Sequence, residues 1–179
     1  MSVPKPPKSA KLVVGMFMKD MDLLGAVAEH LAGTFGAIDL VSPWFPFDFT
    51  GYYEPEMGSP LFRRVLSFKS HVEQGSLADI KITTNRIEQL HARDGKRRVN
   101  LDPGILTHER FVLATCKDFS HRIYLGQGIY ADLTLLYRKG MFETLPWTYP
   151  DYAHHNLTSF LQRVRKKYVF DVKTKRTRG

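Results

Sequence analysis

The chain of 179 residues has the length of one domain, and its 43% hydrophobic and 25% charged residues are ordinary globular proportions. Its single cysteine, Cys116, excludes an intramolecular disulfide, and its apolar runs, such as Leu12–Met18, fall short of the roughly 20 residues that cross a bilayer. The net charge of +8 is concentrated at one end: residues 163–179 hold eight Lys or Arg and one acid, leaving +1 for all that precedes.

These features predict a cytoplasmic protein without a membrane partner, in line with the low cysteine usage of reducing compartments. Three prolines in the first seven residues resist helix and sheet. Residues 1–10 therefore read as a disordered lead-in, 11–168 as a single α/β domain and 169–179 as a basic tail. Such a tail either binds RNA phosphates by counterion release or is simply a solvated end.

Lys11–Met18 (KLVVGMFM) predicts a buried strand. Asp20 suits a helix cap, and Leu23, Leu24, Val27, Leu31 and Phe35 follow at helical spacing until Gly36, a C-cap residue. Ala37–Val41 is a second strand. Between Ser42 and Pro60, six aromatic residues are broken by four prolines, which predicts an ordered aromatic loop. It reads either as a cover for the core or as the wall of a ligand pocket.

Leu61–Phe68 is a third strand. Ser76 suits a cap for a helix bearing Leu77, Ile80, Ile87 and Leu90, and Arg97–Leu101 is a fourth strand ended by Asp102-Pro103-Gly104. The order β-α-β-β-α-β is that of a ferredoxin-like core, so the expected fold is α/β (α+β). Beyond it, Thr107 to about Asp118 reads as a third helix. Ile123–Leu125 and Ile129–Tyr137 read as a hairpin around Gly126-Gln127-Gly128, with Met141–Leu145 as a further strand. A second aromatic loop, Trp147–Tyr152, precedes a final helix with Leu157, Phe160, Leu161, Val164 and Tyr168 on one face.

Lys96–Tyr130 is the segment richest in chemistry. Alternation puts Asn100 and Asp102 on one strand face and Val99 and Leu101 on the other. Lys117, Asp118, Ser120, His121 and Arg122 gather at the end of the expected third helix and in the loop after it. If the two stretches meet, Arg122 and one of Arg97 and Arg98, which alternate across the strand, are placed to hold phosphate or carboxylate oxygens, with Asn100, Lys117, Ser120 and Tyr130 beside them. Asp102 and Asp118 would serve as carboxylate ligands for Mg²⁺, and His121 would move a proton near neutral pH. Plain structural roles fit the same residues: Asp102 before Pro-Gly builds a turn, and Lys117 and Asp118 suit a solvated helix end. No phosphate loop, GxGxxG, HExxH or GxSxG motif is present.

Through Phe45-Pro46-Phe47, Tyr52-Tyr53, Glu56-Met57-Gly58, Lys96–Gly104, Lys117–Tyr130 and Trp147–Tyr152, the chain resembles a bacterial family of domains of unknown function, DUF4416. The resemblance runs from about Lys11 to Arg165 and implies no defined activity or catalytic residue. The leading expectation is binding or hydrolysis of a phosphorylated or nucleotide-like anion, with catalytic roles for Asp102, Asp118 and His121. The alternatives are an RNA-binding or ribonucleoprotein-associated module and a scaffold that docks a partner through its aromatic loops.

Overall fold

The computed structural model describes residues 2–177. Its organising element is strand β1 (Ala10–Met18), in which every residue is buried. Alternation sends Leu12, Val14, Met16 and Met18 to one core, and Val13 and Phe17 to two separate clusters. A strand apolar on both faces must be covered on both faces, and the rest of the chain does this.

Asp20 caps a short 3₁₀ turn by accepting from the Asp22 amide at 3.2 Å, and α1 (Leu24–Phe35) follows. Gly36, at φ 90°, ends it, and β2 (Ile38–Val41) begins. The aromatic segment holds the short β3 (Phe45–Pro46) and a single helical turn, α2 (Glu54–Met57). β4 (Phe62–Val72), α3 (Leu77–Leu90) and β5 (Val99–Leu106) complete the core. The strands lie in the order β2-β4-β1-β5, all antiparallel to their neighbours. That is the expected ferredoxin-like arrangement, with α1 and α3 on one face.

The sheet then continues through β6 (Arg110–Thr115), β8 (Ile129–Arg138) and β7 (Arg122–Gly126), with β9 (Met141–Thr144) paired to β8. A short α4 (Pro150–Ala153) leads into α5 (His155–Thr177), which packs Leu157, Phe160, Leu161, Val164 and Tyr168 onto the second sheet face. No described helix is long and apolar enough to cross a membrane. Before β1, residues 2–9 carry no regular structure, and the Ser9 carbonyl accepts from the Tyr168 hydroxyl at 2.8 Å.

Expectations for two segments are corrected here. Residues 107–118 form a turn and β6 instead of a helix: Thr107 N donates to Arg110 O at 3.0 Å, closing a hairpin between β5 and β6. Phe111 and Leu113 enter the α5 core while Ala114 enters the α3 side, so both faces are apolar and no period-2 signal survives. Asp102-Pro103-Gly104 is not a terminating turn either, because β5 runs through it to Leu106. Over its described part, the basic segment after Tyr168 continues α5, to Thr177.

Gly104 is required by this hairpin. A Cβ there would lie 2.7 Å from Phe111 Cζ and 2.8 Å from the Val112 carbonyl oxygen. Gly104→Ala is expected to cost about 1–3 kcal/mol through overpacking. Urea denaturation checks this: the midpoint should fall with an unchanged slope, and an unshifted midpoint would contradict the close approach.

Candidate functional site

β5 and β6 are paired only over Gly104–Leu106 and Phe111–Leu113. Beyond that point the two strands part. The backbone groups of Leu101, left without a strand neighbour on that side, are taken by α3: Leu101 N donates to Glu88 Oε1 at 2.6 Å, and Lys81 Nζ donates to Leu101 O at 2.7 Å. Lys81, Thr84 and Glu88 are buried, at i, i+3 and i+7, and form a polar stripe on one helix face. Two residues along β5 is Pro103, whose imide nitrogen has no proton to offer a neighbouring strand.

A cleft of about 940 Å³ opens where the strands part. Its floor includes Asn100, Asp102, Leu113 and Asp132, with Lys81 and Glu88 behind them on α3. One wall is the aromatic loop with Phe47, Phe49, Tyr52 and Tyr53. Another is Tyr149–Tyr152 at the start of α4. Phe17 and Phe47 stack with centroids 4.2 Å apart, and Tyr53 packs edge-on to Phe17 at 4.6 Å. The aromatic loop is thus at once a core cover and a cleft wall.

A chain of ion pairs runs along the floor. Glu56 takes two hydrogen bonds from the Arg97 guanidinium, Nε at 2.8 Å and Nη2 at 2.7 Å, and one from its backbone amide at 3.2 Å. Arg97 Nη1 donates to Asn100 Oδ1 at 2.8 Å, and Asn100 Nδ2 donates to Asp102 Oδ1 at 2.8 Å. Arg63 Nη2 then reaches Asp102 Oδ2 at 3.2 Å and Asp151 Oδ2 at 2.8 Å, the latter contact off the hydrogen-bond direction. The Arg63 guanidinium is enclosed by the rings of Phe17, Phe47 and Tyr152 at 5.5, 5.0 and 4.9 Å.

These surroundings shift several ionisations. The hydrogen bonds from Arg97 hold the Glu56 carboxyl below its ordinary value. Burial pushes Glu88 up against the opposing charge of Lys81, and burial pushes Asp151 up against that of Arg63. Burial, with the charge of Asp102, moves Tyr53 up to about 12. Burial alone would lower the Arg63 pKa, but Tyr152, Asp151 and Asp102 around it hold the guanidinium ionised.

Of the residues expected from sequence, Arg97, Asn100, Asp102 and Lys117 line the cleft. His121 and Arg122 stand beside it, both on Asp132 Oδ2, at 3.2 and 3.0 Å. His121 also stacks on Trp147 with centroids 4.8 Å apart. The remaining residues lie elsewhere. Arg98 pairs with Asp20 at 2.8 Å on the surface, and Tyr130 packs against Tyr124. Asp118 and Ser120 are exposed on the loop after β6, so Asp102 and Asp118 do not share the cleft wall as the Mg²⁺ pair would require. Among the described residues, no group of three or more His, Cys, Asp or Glu is placed to hold a metal ion.

The expected phosphate grip by Arg97 and Arg122 is altered as well. Arg97 is occupied by Glu56 and Asn100, while Arg122 bonds Asp132, the Lys117 carbonyl at 3.0 Å and the Tyr149 hydroxyl. Both arginines act as braces. Sequence reasoning missed Arg63, Lys81, Glu88, Asp132 and Asp151. An arginine inside the apolar run Leu61–Phe68 and a Lys-Thr-Glu stripe sharing a helix with Ile80 and Ile87 were the available signals.

The fold and site together define an antiparallel α/β sheet protein with a ferredoxin-like core and one deep cleft at a split in its sheet. The chain belongs to the family described as Domain of unknown function (DUF4416), whose model matches residues 8–168. No curated protein and no solved structure matches it.

Arg63 is the group on which the floor turns. Arg63→Met would leave Asp151 buried beside an apolar side chain, at an expected cost of about 3–5 kcal/mol at pH 7. The folded-state pKa of Asp151 already lies above its unfolded value of 3.8, and loss of Arg63 raises it further. The variant should therefore regain stability relative to wild type as pH falls and Asp151 becomes neutral. Urea denaturation at pH 7 and pH 5 tests this, and a deficit of the same size at both would refute it.

Proposed function

We propose that the cleft binds a small nucleotide-like ligand, a planar ring carrying one anionic phosphate. The observation that carries this reading is Lys117. It is the cleft-lining cation whose charged group makes neither an ion pair nor a hydrogen bond with the described residues, and its ammonium rests 4.5 Å from the Tyr52 ring centroid. Arg63, Arg97 and Lys81 are committed to acids or to the backbone. A phosphate at the Tyr52 end of the cleft would thus meet one free positive charge beside a run of aromatic rings that suits a planar group. The volume falls in the range of small-molecule sites, about 300–1,000 Å³.

Binding is better supported than metal-assisted hydrolysis, because Asp118 stands outside the cleft. The RNA reading has less support. RNA-binding sheets of this topology read bases on the open sheet face, and here α5 covers that face. The basic residues of α5 are in part engaged: Arg165 donates to the His108 carbonyl at 2.8 Å, and Lys167 pairs with Asp171 at 2.8 Å.

The test is titration of the full chain with the four ribonucleoside 5′-monophosphates, followed by NMR and calorimetry. Saturable binding is expected for at least one. Lys117→Ala should weaken it about tenfold, or about 1.4 kcal/mol, while Arg98→Ala on the surface leaves it unchanged. Absence of binding by all four, or equal affinity in Lys117→Ala, would remove this reading.

A further inference from the structure

The floor of the cleft holds polar groups whose hydrogen-bonding directions the ion-pair chain does not fill. Arg63 Nε and Nη1, Asp151 Oδ2 and the Tyr152 hydroxyl are all buried, and none makes a directed hydrogen bond to the described residues. The Tyr152 hydroxyl interacts with the guanidinium, but the contact falls short of full hydrogen-bond geometry. Arg63, Asp151 and Tyr152 are 4%, 7% and 2% exposed, so these groups are removed from bulk solvent. Buried polar groups are nearly always partnered, and a cluster of exceptions at the wall of a cleft points to a ligand.

Gly15 shapes the same place. A Cβ on it would lie 2.6 Å from the Tyr152 hydroxyl and 3.0 Å from Arg63 Nη1. Tyr152 and Arg63 therefore converge over bare backbone. Arg63 and Asp151 also line a second hollow of about 250 Å³, so this pair forms the partition between two cavities.

The free valences define the chemistry of what fits. Arg63 offers N–H donors, Asp151 and Asp102 offer acceptor lone pairs, and the Tyr152 hydroxyl can do either. A pure anion would meet two carboxylates here, and a pure cation would meet the guanidinium. A hydroxyl both accepts and donates, so a pair of neighbouring hydroxyls can take from Arg63 or Tyr152 and give to the aspartates.

Building on the nucleotide-like reading, we infer that Arg63, Asp102, Asp151 and Tyr152 form a subsite for a vicinal diol, the sugar hydroxyls of the phosphorylated ligand that Lys117 holds. The phosphate end supplies attraction, and the diol end supplies discrimination.

The experiment compares the four ribonucleoside 5′-monophosphates with their 2′-deoxy counterparts on the full chain, in wild type, Asp102→Asn and Lys117→Ala, by calorimetry. The ribo series should bind at least tenfold tighter than the deoxy series in wild type. In Asp102→Asn, which keeps the side-chain shape, the ratio should fall toward one. In Lys117→Ala both series should weaken with the ratio preserved. Equal affinity of the two series in wild type, with both weakened by Lys117→Ala, would overturn the diol subsite and leave the ring-and-phosphate reading standing. No binding by either series would overturn both. The wild-type comparison decides the matter even if Asp102→Asn fails to fold.

Discussion

The parting of β5 from β6 is the constraint on which the site depends. Two antiparallel strands that separate expose backbone donors and acceptors, and a buried unpaired group costs about 1–3 kcal/mol. Here α3 supplies what the missing strand would have supplied. Glu88 receives the Leu101 amide and Lys81 gives to the Leu101 carbonyl, each at hydrogen-bond distance. Pro103 removes one further donor from the account. Burying Lys81 and Glu88 costs desolvation, which their mutual attraction and their bonds to Leu101 offset only in part, so the Glu88 carboxyl stays above its ordinary value. The sheet can therefore stay open on one side of Gly104 and closed on the other.

An open sheet has a second consequence. The side chains of Asn100, Asp102 and Asp132 point into a space that neither a strand nor α5 fills, and acids left there alone would be expensive. Each acquires a partner from a different element. Arg97, from the turn before β5, anchors Asn100 and is itself held by Glu56 of α2. Arg63 of β4 bridges Asp102 and Asp151, and Arg122 of β7 holds Asp132. The network thus ties the aromatic loop, both strand edges and the start of α4 to one floor. Rotamers fixed in this way lower the ordering cost of binding.

Much of the core was legible because its periodicities are clean. β1, α1, α3 and the apolar face of α5 follow from the spacing of their hydrophobic residues, and the ferredoxin-like order follows from their sequence. β6 was not legible, since Phe111 and Leu113 serve one core and Ala114 the other. The same doubling hid Asp132. Its alternation with Leu133 and Leu135 suggests a solvent face, yet Asp132 is 1% exposed and bonded to three neighbours. Half of the site was legible by alternation on β5, which places Asn100 and Asp102 together. Of the residues missed, Arg63 and Asp151 lie more than 30 positions from β5 in the chain, and no local pattern joins them to it.

The placement of charge explains why composition misleads about this cleft. The excess of positive charge belongs to α5 and the residues after it, while the cleft wall holds four cations against four acids. Arginine and lysine near a site ordinarily suggest grip on an anion. Here the geometry assigns three of the four to the protein itself, because Arg63, Arg97 and Lys81 satisfy groups that the split sheet leaves behind. A wall so balanced has little net field to draw an anion in, so its selectivity must rest on directional contacts. The charges are a product of how the cleft is kept open, and recognition is left to Lys117, the rings and the unspent valences around Arg63.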